Sequence, residues 1–512
     1  MAKQPRERRA PYDLLDRHVA LRAPRDDAAG FTRFDFSMTQ TAQTLSSLDG
    51  ARSAARAEGA LRRELVRWAW LAVGALAVAG VFALLLALSR IPGMEKTPFW
   101  PIDFFYKGLV IHVVFSLVIW LQGVFAFLIS VATLRLAGDD VRAAPLGRIG
   151  QGLVLVAFPF LFAPAFLEGT QPELTNYIPI IRHPAYDIGL LALGLGVLAP
   201  VVRLLINLPG RLASAPPLAV AMALGGFVYV LALICFGVAT TLLAESGQLA
   251  SREELFWGGG HVLQFVYAAL MLKNWSILAR MSLGEEAVDD RVFLGSLALI
   301  ALIAIAAPAF YAIFAPFSDH QREAFRFLQF GIAAPTLIFA ISLLTRALRS
   351  TSPWPWRDPA FFALAASFAL FALGGAMGFL IDGSDTRTPA HYHAVITAVS
   401  VSSAGMLLTF GLKELGKTPA SPGATRLLLG LYGGGQFVAS IAMFVAGGYG
   451  ALRKTPAGTG SLDTVAAAGM AVHGIASIFT ILGGAAFVVV AIRALWRTAQ
   501  APTRPRPDFT QV

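Results

Sequence analysis

Two histidines one residue apart, His391 and His393 in the stretch GSDTRTPAHYH, are the strongest chemical feature of the chain. On a helix, positions i and i+2 differ by about 200° in azimuth. Two imidazoles so placed leave opposite flanks of one helix and can serve two different groups. A single metal held by both would want i, i+3 or i, i+4 spacing. Five further histidines join them: His112, His183, His261, His320 and His473, with Asp319 directly before His320. Imidazole is the common protein ligand of haem iron and of copper, so ligation of haem or metal is the chemistry to expect. The eighth histidine, His18, sits in a polar tail and reads as solvated.

The elements that position these residues are apolar. Segments long enough to cross a bilayer recur at about 67–89, 104–134, 147–168, 184–206, 217–244, 254–281, 291–316, 322–349, 358–381, 388–414, 423–450 and 463–496. The fold class expected is therefore all-α, an integral membrane bundle of twelve transmembrane helices spanning 67–496. It is flanked by a basic tail over 1–66 and a short tail over 497–512. If the N-terminus is cytoplasmic, the inner loops and C-terminal tail hold eighteen Lys and Arg, the first 67 residues thirteen, and the outer loops ten. That bias puts both termini inside, in the cytoplasmic (inner) membrane. Seven histidines from six separated places then fall toward the outer face. His112 and His261 lie about two turns and His473 about three turns into their segments. His183 and the HYH pair open theirs, and His320 sits between the seventh and eighth. Ionisable groups at membrane depth are costly and mark functional sites.

Composition excludes several alternatives. The mean hydropathy is +0.64 and only 14% of residues are charged, against about 25% in soluble domains. The single cysteine, Cys235, lies in an apolar run, so there is no disulfide, no thiolate metal site and no CxxCH haem attachment. The net charge of +10 follows membrane topology rather than nucleic-acid binding. The first apolar run starts near Arg67, too late for a cleaved signal peptide.

Twelve segments, both ends inside, and histidines in the second, sixth and tenth segments and at the seventh–eighth junction resemble the catalytic subunit of the haem–copper oxidase superfamily. That superfamily includes oxygen and nitric oxide reductases. The resemblance implies that His112 and His393 are axial ligands of a low-spin haem and His391 the proximal ligand of a high-spin haem. The haems would be b and b or o type. It implies that His261, in FWGGGHVLQFVY, binds a non-haem copper or iron. Relatives supply two adjacent histidines at the end of the seventh segment; here FSDHQ places Asp319 and His320 there. Asp385 stands where relatives carry an acid near the haem propionates. Arg453 and Lys454, in GGYGALRKTPAG, stand where a basic pair faces them.

The departures bear on the gas reduced. Oxygen reductases draw an electron from a tyrosine joined to a metal-binding histidine, in many of them four residues after the histidine of the sixth segment. That position is Phe265, and Tyr267, at i+6, lies about 240° round the helix. Tyr311 in the seventh segment is the remaining candidate. Nitric oxide reduction needs two electrons and no such tyrosine. Phe265 and Asp319 lean toward it, whereas Gln264, where nitric oxide reductases carry glutamate, leans away. No Asp or Glu is expected in the cytoplasmic half of any segment. Glu168, Asp187, Glu245, Glu323 and Asp382 all lie toward the outer face, which favours proton entry from outside.

Electrons must come from a partner subunit, a cupredoxin or a c-type cytochrome, or from quinol. Rival classes are a twelve-helix transporter, which wants midplane polar residues and an internal repeat, and a haem protein without catalysis, which does not need Asp319 or His320. His473 is expected to pack or hydrogen-bond within the bundle, and His183 to mark the interface.

Overall fold

The computed structural model describes residues 38–88, 104–138, 140–381, 385–454 and 462–497. His18, Asp382 and the tail after 497 lie outside the described residues. Twelve helices are long and apolar enough to span a membrane. They are α1 (Arg62–Leu88, the apolar part of a helix over Met38–Leu88), α2 (Phe104–Ala137), α3 (Pro145–Phe166), α4 (Pro184–Asn207), α5 (Pro217–Glu245) and α6 (Arg252–Leu283). They continue as α7 (Asp290–Ile313), α8 (Asp319–Arg349), α9 (Pro359–Gly378), α10 (Arg387–Glu414), α11 (Pro422–Gly448) and α12 (Thr464–Trp496). The expected all-α membrane bundle is what forms. With an even number of spans, α1 begins and α12 ends on one face, called the terminal face below.

Local chemistry sets the helix starts. Proline occupies the first helical position of α3, α4, α5, α9 and α11, where its missing N–H costs nothing. Ser318, Asp358, Ser421 and Asp463 cap α8, α9, α11 and α12 through their side-chain oxygens. Neighbours in sequence pack in pairs, α3 with α4, α5 with α6, α9 with α10 and α11 with α12. Gly150 lets α3 approach α4 closely: a Cβ there would lie 2.5 Å from the Gly196 carbonyl oxygen.

The apolar windows of α2, α6 and α10 are 83%, 83% and 89% buried, while that of α12 is 22% buried. The three helices carrying His112, His261 and the HYH pair are thus the middle of the bundle. Two of them carry π-helical turns: Val114–Ile119 follows His112 in α2, and Leu407–Gly411 lies near the end of α10. Such turns gather at functional sites.

The terminal face is braced by ion pairs. Arg203 on α4 makes a two-pronged contact to Glu64 on α1 at 2.8 and 2.5 Å, both side chains buried. Arg135 pairs with Glu414, Arg280 with Glu285 and Asp290, and Arg346 with Asp289. Glu64 on α1, Asp290 at the start of α7 and Glu414 at the end of α10 correct the expectation of a terminal-face half without acids. The first membrane helix begins earlier than hydropathy alone indicated because Arg203 neutralises the Glu64 carboxylate inside the bundle.

Candidate functional site

A cavity of about 1660 Å³ runs among α2, α6, α9, α10 and α12. It exceeds the roughly 300–1,000 Å³ of a site for one small molecule. His112, His261, His391, His393 and His473 all line it, and Arg453 and Lys454 line its end at the face opposite the termini.

Backbone carbonyls orient three of these rings. His391 Nδ1 lies 2.7 Å from the Gly374 oxygen on α9, His112 Nδ1 3.0 Å from the Ala79 oxygen on α1, and His473 Nδ1 3.2 Å from the Ala439 oxygen on α11. A carbonyl only accepts, so Nδ1 carries the proton in each ring and Nε2 keeps its lone pair. This is the arrangement of metal-binding histidines, whose second nitrogen is tied down to fix the tautomer. Gly378 makes room for His391: a Cβ there would sit 2.8 Å from the ring. His393, two residues further along α10, lines the same cavity, its ring edge-on to Tyr392 with centroids 5.0 Å apart.

His261 is held differently. Its Nδ1 donates to the Trp257 carbonyl at 2.7 Å, and its Nε2 meets the Tyr177 hydroxyl at 2.7 Å. Tyr177 comes from a hairpin between α3 and α4, formed by β1 (Gln171–Glu173) and β2 (Ile180–Arg182). The hairpin tip lines the cavity and is pinned by Asn176, whose amide groups donate to Glu253 at 3.0 and 2.7 Å. Desolvation, and then the Glu253 carboxylate, raise the Tyr177 pKa, so the phenol is protonated and donates to Nε2. The glycine triplet before His261 permits this packing. Cβ atoms on Gly258, Gly259 and Gly260 would fall 2.3 Å from Tyr311 Oη, 2.3 Å from the Phe236 ring and 2.5 Å from Tyr177. Sequence reasoning missed Tyr177. The available signal was that triplet, which leaves three helix positions bare for aromatic neighbours.

Asp319 and His320 are not brought to His261. Both are exposed in the first turn of α8, and neither lines the cavity. Ser318 caps α8 through the Gln321 N–H, a register that turns Gln321 and Phe325 inward. Gln321 bonds the Phe310 carbonyl, and Phe325 lies over His261 with centroids 5.9 Å apart. Among the described residues, no group of three His, Cys, Asp or Glu is placed to hold a metal ion.

The remaining expected residues fall as follows. Asp385 is buried in a two-pronged pair with Arg387 at 2.7 and 2.9 Å and does not line the cavity. Arg453 reaches Asn176 Oδ1 at 3.2 Å and Lys454 the Leu174 carbonyl at 2.6 Å, so both tie the α11–α12 loop to the hairpin. Burial, and then Arg453, hold the Lys454 pKa below its usual range. An anion at this end of the cavity would meet two cations. His183 caps α4 by accepting from the Ala185 N–H at 3.2 Å.

These residues fit haem groups: imidazoles with Nδ1 anchored and Nε2 held as a lone pair, a large apolar-walled cavity, and cations at one mouth for carboxylates. The donors around His261 do not fit a second metal. Fold and site together define a polytopic membrane protein whose central helices aim imidazoles into one shared cavity. The sequence model of the family described as cytochrome c and quinol oxidase polypeptide I matches residues 64–482, and the chain belongs to that family. Its members are oxidoreductases that bind haems and a copper or iron centre and work with other subunits and electron donors in the membrane; this chain is an oxidoreductase by membership.

Among relatives, an uncharacterized protein of Aquifex aeolicus (strain VF5) is 30% identical over 353 residues, covering 68% of this chain and 84% of that one. An uncharacterized protein of Rickettsia prowazekii (strain Madrid E) is 24% identical over 491 residues, covering 82% and 94%. Among solved structures, a cryo-EM structure of a heme-copper terminal oxidase dimer shares the fold, with a TM-score of 0.71 and 16% identity over 87% of this chain and 86% of that one.

Proposed function

We propose that the chain is the two-haem subunit of a respiratory reductase that reduces a diatomic gas, with both termini in the cytoplasm. His112 and His393 hold a low-spin haem. His391 would hold a high-spin haem, which would supply the gas-binding iron. Arg453 and Lys454 pair with the propionates. The observation that carries the reading is His391: its Nδ1 is fixed on the Gly374 carbonyl at 2.7 Å inside a cavity shared with His112 and His393. When bound, haem iron supplies electron transfer and gas binding.

Oxygen is the first reading of the gas. The grounds for nitric oxide were the absent tyrosine and Asp319. Asp319 lies outside the cavity, and the Tyr177 phenol stands 2.7 Å from His261 Nε2. It gives His261 a phenol partner from the hairpin, where the i+4 position of the sixth segment is Phe265. Reduction of oxygen to water takes four electrons and four protons. The electrons come from a donor outside the described chain, a cupredoxin or c-type cytochrome subunit, or quinol. Nitric oxide reduction, with two electrons and two protons for two molecules, is the second reading. It is favoured by the terminal face, where Glu64, Glu414, Glu285 and Asp290 are each held by an arginine. Each of these carboxylates is engaged in an ion pair, which favours proton entry from the opposite face.

Single-turnover assays of one fully reduced preparation with each gas test the proposal. Loss of oxygen with oxidation of both haems supports the first reading. Nitrous oxide formation without oxygen consumption supports the second. Reaction with neither refutes the reductase reading.

A further inference from the structure

We infer that His261 is held by Tyr177 and not by a metal, so that the haem iron on His391 is the only metal at this chain's gas site. The inference rests on the haem reading above, and it departs from the family's general copper or iron centre.

An imidazole binds a metal through a nitrogen lone pair. In His261 the Nδ1 proton goes to the Trp257 carbonyl, and the Nε2 lone pair accepts from Tyr177, each at 2.7 Å. The ring is also enclosed, with Tyr177, Trp257 and Phe325 at centroid distances of 4.5, 4.8 and 5.9 Å. Tyr177 is seated through its backbone neighbours as well as its hydroxyl, because Asn176 is bonded to Glu253 and Lys454 holds the Leu174 carbonyl.

A copper, iron or zinc site needs three or four donors. All histidines except His18, and the one cysteine, lie among the described residues. Among the described residues, His261 belongs to no group of three His, Cys, Asp or Glu that could hold a metal ion. Asp319 and His320 face out from the first turn of α8. Glu254, one turn before Trp257, is engaged by Arg322 at 2.7 Å. The cavity wall of α6 beyond His261 offers Gln264 and Tyr267, neutral oxygens that attract such ions weakly. His261 and Tyr177 together form a neutral hydrogen-bonded pair with a single direction, Tyr177 O–H to Nε2 and Nδ1–H to Trp257.

The test uses the purified wild-type protein and reads metal content beside haem content, together with electron paramagnetic resonance of the resting state. A second paramagnetic metal next to a high-spin ferric haem couples to it and suppresses its signal. The expected result is iron equal to haem, no other metal at stoichiometric level, and an axial high-spin ferric signal of full intensity. Cupric ion added to the purified protein should neither bind stoichiometrically nor weaken that signal. Stoichiometric copper, iron in excess of haem, or uptake of one cupric ion with loss of the signal would overturn the inference and leave the two-haem reading standing. A preparation without haem would refute the two-haem reading, and its metal content would still decide whether His261 carries an ion.

Discussion

Replacing Gly260 with alanine should damage this protein out of proportion to the one methyl added. The new Cβ would lie 2.5 Å from Tyr177 Cβ and Cγ and 2.9 Å from Cδ1. Carbon atoms settle at about 3.5–4.0 Å, so the hairpin and α6 must separate by about 1 Å. The Tyr177–His261 bond, 2.7 Å in the native protein, would then stretch to roughly 3.5 Å, outside hydrogen-bonding range. Overpacking costs about 1–3 kcal/mol and the lost bond about 1 kcal/mol more. Better helix propensity returns about 1 kcal/mol. A net loss of about 1–3 kcal/mol remains, and it should appear as a lowered unfolding temperature in detergent. Gly152→Ala on α3 is the control. Nothing lies within 4 Å of its added Cβ, so it should leave stability unchanged or slightly raised. Equal unfolding temperatures for Gly260→Ala and Gly152→Ala would refute the packing argument, and with it the placement of Tyr177 on α6.

Glu64→Ala should destabilise strongly, by about 3–5 kcal/mol, because it strands Arg203 inside the bundle; the double change Glu64→Ala with Arg203→Met should recover much of that in thermal unfolding. Lys273 has its ammonium buried without a hydrogen bond, only 5.2 Å above the Phe293 ring, so Lys273→Met should keep full haem content and raise stability by about 1–3 kcal/mol. Asp289 accepts from the Val292 and Arg291 N–H groups and pairs with Arg346, which holds its pKa below 3.8. Its contribution is therefore present above pH 3.8 and lost as pH falls through the lower folded value. Asp289→Asn should flatten that acid limb in a stability-against-pH series. His473→Ala should retain both haems by pyridine haemochrome analysis, since the three haem ligands proposed are His112, His391 and His393.

Much of this was legible in the sequence, for physical reasons. Hydropathy places spans because the bilayer demands length, and the twelve expected segments match the twelve helices within a few residues. The exceptions at Glu64, Asp290 and Glu414 arose because hydropathy counts a charge without knowing its partner. The shared depth of His112, His261, His391, His393 and His473 was readable along the chain, and one cavity gathers all five. The surroundings of His261 were not readable. Tyr177 reaches it from a loop 84 positions away, through a hairpin whose pairing leaves little trace in hydropathy. Asp319 and His320 stood at the expected place in the chain, but azimuth around a helix is set by its first turn, and the Ser318 cap turned Gln321 inward instead.

His391 as the ligand of a gas-binding haem, beside a second haem held by His112 and His393, is the central assignment. The most direct measurement is haem quantification with carbon monoxide difference spectra on the wild type and on His391→Ala. The wild type should hold two haems, one of them binding carbon monoxide, and the variant should keep the low-spin haem alone and bind none. A wild type without a Soret band, or a variant that keeps both haems and the carbon monoxide signal, would contradict the account.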